Sequence, residues 1–305
     1  MRCGRGRKIK RNPAKSARPR RKSLAHAGGV APAFFVNTRS ASQPTLPAVD
    51  AGLRERIYNL WDELAAFEAA KAEVALMHLL GTVAEMIDAQ NAYWLGVVRI
   101  TDDKRDPLRG WRPRLIRYLR PLPNDKRFSQ QRLRSIQRGK LDESVVAHAR
   151  LAGTFRACRL SDLVSADWFN SATYQGYLSR GVHDSLVVGV PINPVAEGCY
   201  GFLRMRENDP FTVAQRDIAF YAMRGLTWFH RQVLLAHGVA AAGAPLSPME
   251  RRVLALLLTD QTEKLIAAKL GVTPSTLHTY VRSVLRKLGV SGRNGLISLW
   301  LGQQS

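Results

Sequence analysis

The chain has 305 residues, enough for two domains of ordinary size, and its 46% hydrophobic and 8% aromatic content excludes wholesale disorder. Lys and Arg number 46 against 24 Asp and Glu, a net charge of +22, and about half of that excess lies in residues 1–49, which hold twelve basic residues and no acid. No apolar run approaches roughly 18 residues, so no membrane-spanning helix is expected, and three widely separated cysteines (Cys3, Cys158, Cys199) fit a reducing, cytoplasmic compartment better than a disulfide or zinc framework.

Residues 1–46 are rich in Arg, Lys, Pro, Gly, Ser and Ala and cannot bury enough apolar surface to offset their ordering entropy, so a disordered basic tail is expected. Three readings stand for it: a solvated tail or a misplaced start, an electrostatic arm on nucleic acid, and an export signal around Arg20-Arg21-Lys22. The last has a poor apolar region, interrupted by His26, Gly28, Gly29 and Pro32.

Residues 50–238 read as mixed α and β. Periodicity predicts helices over Arg54–Phe67 and Lys71–Ala89 and a strand over Asn91–Thr101, with shorter strands at Leu115–Leu119 and Phe155–Leu160. Asp184–Ile192 and Cys199–Met205 read as a hairpin around Pro-Val-Ala-Glu-Gly, and Thr212 with Gln215 forms a capping box opening one long helix to about His237. This layout, and the hairpin pattern in particular, resembles GAF- and PAS-like sensor domains. The resemblance implies a regulatory role without naming a ligand.

Two features of this region remain open. Trp168, Phe169, Tyr174 and Tyr177 can line a ligand pocket for a small-molecule effector or form ordinary core. Their order does not fit an acyl-homoserine-lactone pocket. Residues 104–140 hold thirteen Lys and Arg against Asp106 and Asp125, a patch suited to a second nucleic-acid contact, an acidic partner or plain solvation. His148, His183, His230 and Cys158 fall at no metal-ligand spacing. With no phosphate loop, metal cluster or nucleophile–base pair, neither enzymatic activity nor a cofactor is expected.

A linker over 239–245 leads to the strongest signal, residues 246–305. Ser247, Pro248 and Glu250 supply an N-cap, a first-turn proline and a capping box, and Val253, Leu254, Leu257 and Leu258 share one face of a first helix. Thr262 caps a second helix, Glu263–Leu270. Gly271-Val272-Thr273 breaks the chain, Pro274 opens a third helix to about Leu288, and Gly289 stops it. A fourth helix over Arg293–Leu301 is expected to bury Leu296, Ile297 and Trp300. Two short helices joined by a glycine turn form a helix-turn-helix. The outer face of the second carries Ser275, His278, Thr279, Arg282, Ser283 and Arg286, with no acid between Gly271 and Ser305.

The stretch Leu246-Ser247-Pro248-Met249-Glu250, with Ile266-Ala267, Thr276-Leu277 and Arg286-Lys287-Leu288-Gly289-Val290, resembles the DNA-binding domain of LuxR/FixJ-type transcriptional regulators. The fold expected is therefore α+β: a mixed sensor domain followed by an all-α, four-helix DNA-binding domain. By position the resemblance implies base contacts from His278, Thr279 and Arg282, and backbone contacts from Thr262, Lys264, Ser275, Thr276, Arg286 and Lys287. It also implies homodimerisation through Leu296, Leu299 and Trp300. The partner implied is double-stranded DNA. Two other readings remain: a ligand-free orphan DNA-binding protein with a structural dimerisation domain, and a sequence-indifferent nucleic-acid binder driven by the tail.

Overall fold

The computed structural model describes residues 50–138, 140–205, 208–239 and 246–303. The predicted tail and most of the predicted linker lie outside the described residues. Among the described residues no helix is long and apolar enough to cross a membrane.

In chain order the N-terminal part contains α1 (Ala51–Ala66), α2 (Ala72–Met86), β1 (Asn91–Arg99), β2 (Trp111–Tyr118), α3 (Asp125–Gln137) and α4 (Glu143–Leu151). β3 (Arg156–Arg159), a short α5 (Leu160–Leu163), α6 (Ala172–Leu178), β4 (Val182–Asn193), β5 (Ala196–Met205), α7 (Val213–Arg224) and α8 (Thr227–Ala236) follow. The strands form one antiparallel sheet in the order β2-β1-β5-β4-β3.

Alternation along the strands gives the sheet two buried faces, as strand geometry requires when helices cover both sides. One face, with Trp94, Leu186, Val188, Tyr200 and Phe202, packs against Ile57, Leu60, Leu79, Met223 and Leu234 of α1, α2, α7 and α8, forming the main core. The other carries Val97, Trp111, Val187 and Cys199 in a smaller cluster, and a further one joins Val182 and Leu203 to Leu122.

Two expectations are corrected. The hairpin turn is Pro194-Val195 alone, because Ala196, Glu197 and Gly198 are strand residues paired with both β4 and β1. Pairing with a distant strand, which local composition does not encode, extends β5. The single long helix divides at Gly225-Leu226 into α7 and α8. Trp61 packs its ring on Gly225, where a Cβ would come within 3.0 Å of it. The carbonyls released at a helix end need partners, and they find them in side chains. Trp61 Nε1 donates to the Ala222 carbonyl at 2.7 Å, and His230 Nε2 bonds the Met223 carbonyl at 2.9 Å. His230 is fully buried, and its other ring nitrogen accepts from the Tyr200 hydroxyl at 2.7 Å.

The C-terminal part is α9 (Pro248–Leu257), α10 (Glu263–Leu270), α11 (Pro274–Leu288) and α12 (Arg293–Leu301) around a separate core of Leu246, Val253, Leu254, Ile266, Leu277, Val281, Val284 and Leu296. α9 contacts the turn at Ala69–Lys71, and α12 packs on α8.

Candidate nucleic-acid interface

Local chemistry builds the helix-turn-helix. The Thr262 hydroxyl accepts from the Leu265 amide and caps α10; the Thr273 hydroxyl accepts from the Thr276 amide at 3.1 Å and caps α11. Between them Gly271 takes a left-handed φ of 68°, as Gly289 does at 70° after α11, conformations that favour residues without a Cβ. Leu277, Val281 and Val284 bury the inner face of α11 against α9 and α10. Ser275, Thr276, His278, Thr279, Arg282 and Arg286 are exposed on it, and Lys264 on α10 is exposed as well. The Thr279 hydroxyl donates to the Ser275 carbonyl at 3.2 Å, so what this side chain has left to offer is chiefly its methyl group.

Three features were beyond the reach of the sequence. An acid stands beside the acid-free helix after all: Glu263, in the first turn of α10, lies 3.7 Å from His278 Nδ1. Lys287 is half-committed, since its ammonium pairs with Glu250 at 2.7 Å. Glu250 is buried and also accepts from the Ser247 amide at 2.6 Å and the Ser283 hydroxyl at 2.7 Å. One carboxylate thereby caps α9 and ties α11 across it. Burial alone raises the pKa of that carboxyl, but the Lys287, Ser247 and Ser283 bonds outweigh it and bring it to about 2.

Arg293 is the third. Its guanidinium donates to the carbonyls of Leu257 and Gln261, each at 2.8 Å, and to that of Thr259. The last carbonyls of α9 are thus satisfied from the start of α12, which fixes the loop carrying Thr262. The sequence marks Arg293 only as the start of the fourth helix, with no signal for this role.

On α12 the expected burial of Ile297 is corrected. Leu296 and Trp300 are buried within the chain and Leu299 is half-buried, whereas Ile297 (41% exposed) and Leu301 (57%) face outward. The helix turns Leu296 into the four-helix core, and Ile297, one position on, consequently points away from it.

In the N-terminal part, Trp168, Phe169, Tyr174 and Tyr177 do come together. Ring centroids of Phe169 and Tyr174 are 5.1 Å apart and those of Trp168 and Phe169 5.6 Å, both edge-to-face. Their polar tips are taken by the chain: Trp168 Nε1 donates to Asp142 at 2.8 Å, the Tyr174 hydroxyl to the His183 carbonyl at 3.1 Å, and the Tyr177 hydroxyl accepts from Arg132 at 3.2 Å. Nearby, His148 is half-buried overall, yet its Nδ1 is sealed from solvent and has no hydrogen-bond partner. Burial, together with the Arg156 and Arg132 charges, lowers its pKa to about 3 and keeps it neutral.

Residues 244–300 match the family described as bacterial regulatory proteins, luxR family. The transcriptional regulatory protein MctR of Rhizobium johnstonii is 36% identical over 76 residues, 24% of this chain; the chain spans only 36% of that relative's length. Among solved structures, SdiA in complex with octanoyl-rac-glycerol is similar over 82% of this chain and 94% of that one, at 14% identity and a TM-score of 0.41. The VqsR LBD domain from Pseudomonas aeruginosa is similar over 61% of this chain and 98% of that one, at 17% identity and a TM-score of 0.39.

Proposed function

Because its C-terminal domain belongs to the luxR family of bacterial regulatory proteins, we propose that this chain is a sequence-specific, DNA-binding transcriptional regulator whose sensor-like N-terminal domain modulates dimerisation or DNA binding. The observation that carries the reading is the outer face of α11: hydroxyl, imidazole and guanidinium groups, all exposed, on a helix held by a left-handed glycine turn. Such groups suit phosphate oxygens and base edges.

In this reading α11 lies in the major groove with His278, Thr279 and Arg282 toward the bases. Thr262, Lys264, Ser275, Thr276 and Arg286 hold the backbone, and Lys287 contributes what Glu250 leaves of its charge. Arg282 reads guanine through a two-pronged bond to O6 and N7, and the Thr279 methyl meets thymine. A twofold dimer would use Ile297 and Leu301 in place of the buried Leu296 and Trp300, and would prefer inverted half-sites about one helical turn apart. Selection of bound duplexes from a random pool tests this. Arg282→Ala should relax preference at one base position per half-site, costing about 1–3 kcal/mol in operator affinity. A pool that yields no common motif would sink the reading.

Two views of the N-terminal domain each have an observation in their favour. A small-molecule effector is supported by His148, whose buried, unpartnered nitrogen beside two guanidiniums is a feature that a bound polar group would satisfy. A ligand-free orphan is supported by the aromatic cluster, whose polar tips are already bonded. An effector must bind one arrangement better than the other to shift anything. Thermal denaturation against a metabolite library separates the two. A true effector at about 100 times its Kd adds about 2.7 kcal/mol and moves Tm by several degrees. No shift by any compound, with operator affinity unaltered, leaves the orphan.

A further inference from the structure

Among the described basic residues of 104–140 two groups stand out. Arg112 pairs with Asp106 at 2.9 Å, Arg117 pairs with Glu73 at 3.5 Å, and Arg120 donates to the Gln90 carbonyl at 2.9 Å. Arg132 turns inward to Tyr177. These hold the fold together. Arg127, Arg134 and Arg138 do not: all three are exposed, on α3 and its continuation, where the Arg138 amide still bonds the Arg134 carbonyl.

Spacings of seven and four residues put these arginines on one side of the helix, over about 16 Å at the helical rise of about 1.5 Å per residue. Gln130 and Gln131, also exposed, flank the row. Phe128, about a quarter-turn round the helix from Arg127, packs inward, edge-on to Tyr177 and under the Arg180 guanidinium. Asp125, the sole acid of α3, is engaged by Arg180 at 2.7 Å and by the Tyr118 hydroxyl at 2.9 Å. Its charge is therefore spent internally.

We propose that this arginine stripe binds the phosphate backbone of duplex DNA flanking the operator, a second nucleic-acid contact outside the helix-turn-helix. The inference rests on the operator binding proposed for α11. Arginine forks and glutamine amides are groups that hold phosphate oxygens. An acidic protein partner would call for an apolar centre to its interface, whereas the exposed residues flanking the stripe, Gln130 and Gln131, are polar.

The test titrates the full chain against two duplexes over a salt series: one of about 20 base pairs holding the operator alone, the other of about 45 with the same operator inside arbitrary flanks. The wild type should bind the longer duplex more tightly and with the steeper salt dependence. The triple variant R127A/R134A/R138A should lose that advantage while its affinity for the short duplex stays unchanged. Three lost phosphate contacts lower the log–log slope by about 2.7, which is about 40-fold between 50 and 200 mM salt. Equal wild-type affinity for both duplexes overturns the inference, and assigns the stripe to an acidic protein if the triple variant then lowers transcription. An equal loss on both duplexes overturns it too. Failure of the wild type to bind the short duplex at all is a separate result, and sinks the regulator reading itself.

Discussion

Truncating Glu197 to Ala should destabilise the N-terminal domain by about 3–5 kcal/mol, the range for removing one partner of a sealed ion pair. Glu197 is 2% exposed and Arg156 is 7% exposed. The carboxylate accepts two guanidinium bonds, at 2.8 and 3.0 Å, and a third bond from the Gly153 amide at 2.9 Å. It thereby holds together β5, β3 and the turn after α4. Without it, Arg156 is left charged among Val97, Val187 and Cys199, with the Thr154 carbonyl at 3.0 Å and the weakly accepting Cys199 sulfur at 4.0 Å as remaining partners. The loss should fall mainly on unfolding of the sensor-like domain, because the helix-turn-helix has its own core. Chemical denaturation measures it. The double variant Glu197→Leu with Arg156→Met should recover most of the stability, since it removes both charges from the interior. A single-variant loss below about 1 kcal/mol would mean that water reaches the pair and that the sheet is not sealed there.

Acid should act on the C-terminal domain through Glu250. Its carboxyl titrates at about 2 in the folded chain and near 4.3 when unfolded. A depressed folded value means that the unfolded state binds the proton first, so the stability is fully present above the unfolded pKa and is lost as pH falls toward 2. The shift corresponds to about 3 kcal/mol over that window. Glu250→Gln should flatten the acid limb of the stability profile and lower stability at neutral pH by a comparable amount, because Lys287 then loses its partner. Denaturation between pH 2 and 7 checks both effects. A variant whose pH profile overlays the wild type would show that Lys287 and Ser283 do not bond this carboxylate in solution.

The tie has a consequence for the proposed DNA binding. In the proposed reading Lys287 belongs to the backbone-contacting set, yet it also fastens α11 to the capping box of α9. Replacing it would lower both domain stability and DNA affinity, whereas Arg282 and Arg286 are exposed and free of that second duty. Arg282 is therefore the cleaner probe of base reading.

What the sequence by itself determined is what short range decides. Ser247 with Glu250, Thr262 with Leu265 and Thr273 with Thr276 interact across three residues, and Gly271 and Gly289 act through their own φ. The helices Glu263–Leu270, Pro274–Leu288 and Arg293–Leu301 consequently form at the ends their residues predict. The faces of α11 follow from spacing except at Ser283, read as exposed, which is half-buried because its hydroxyl donates to Glu250 at 2.7 Å. Only the tertiary structure decided which charges remain available. Glu263 meets His278, Lys287 meets Glu250, Arg293 caps α9, and Arg156 meets Glu197, across separations of 15 to 41 residues. The same holds for the division between α7 and α8, where Trp61 takes the Ala222 carbonyl from 161 residues away. A cap or a turn is a property of neighbouring backbone groups, whereas the partner of a buried charge is whichever opposite group the packed core delivers to it, and no local pattern of residues carries that information.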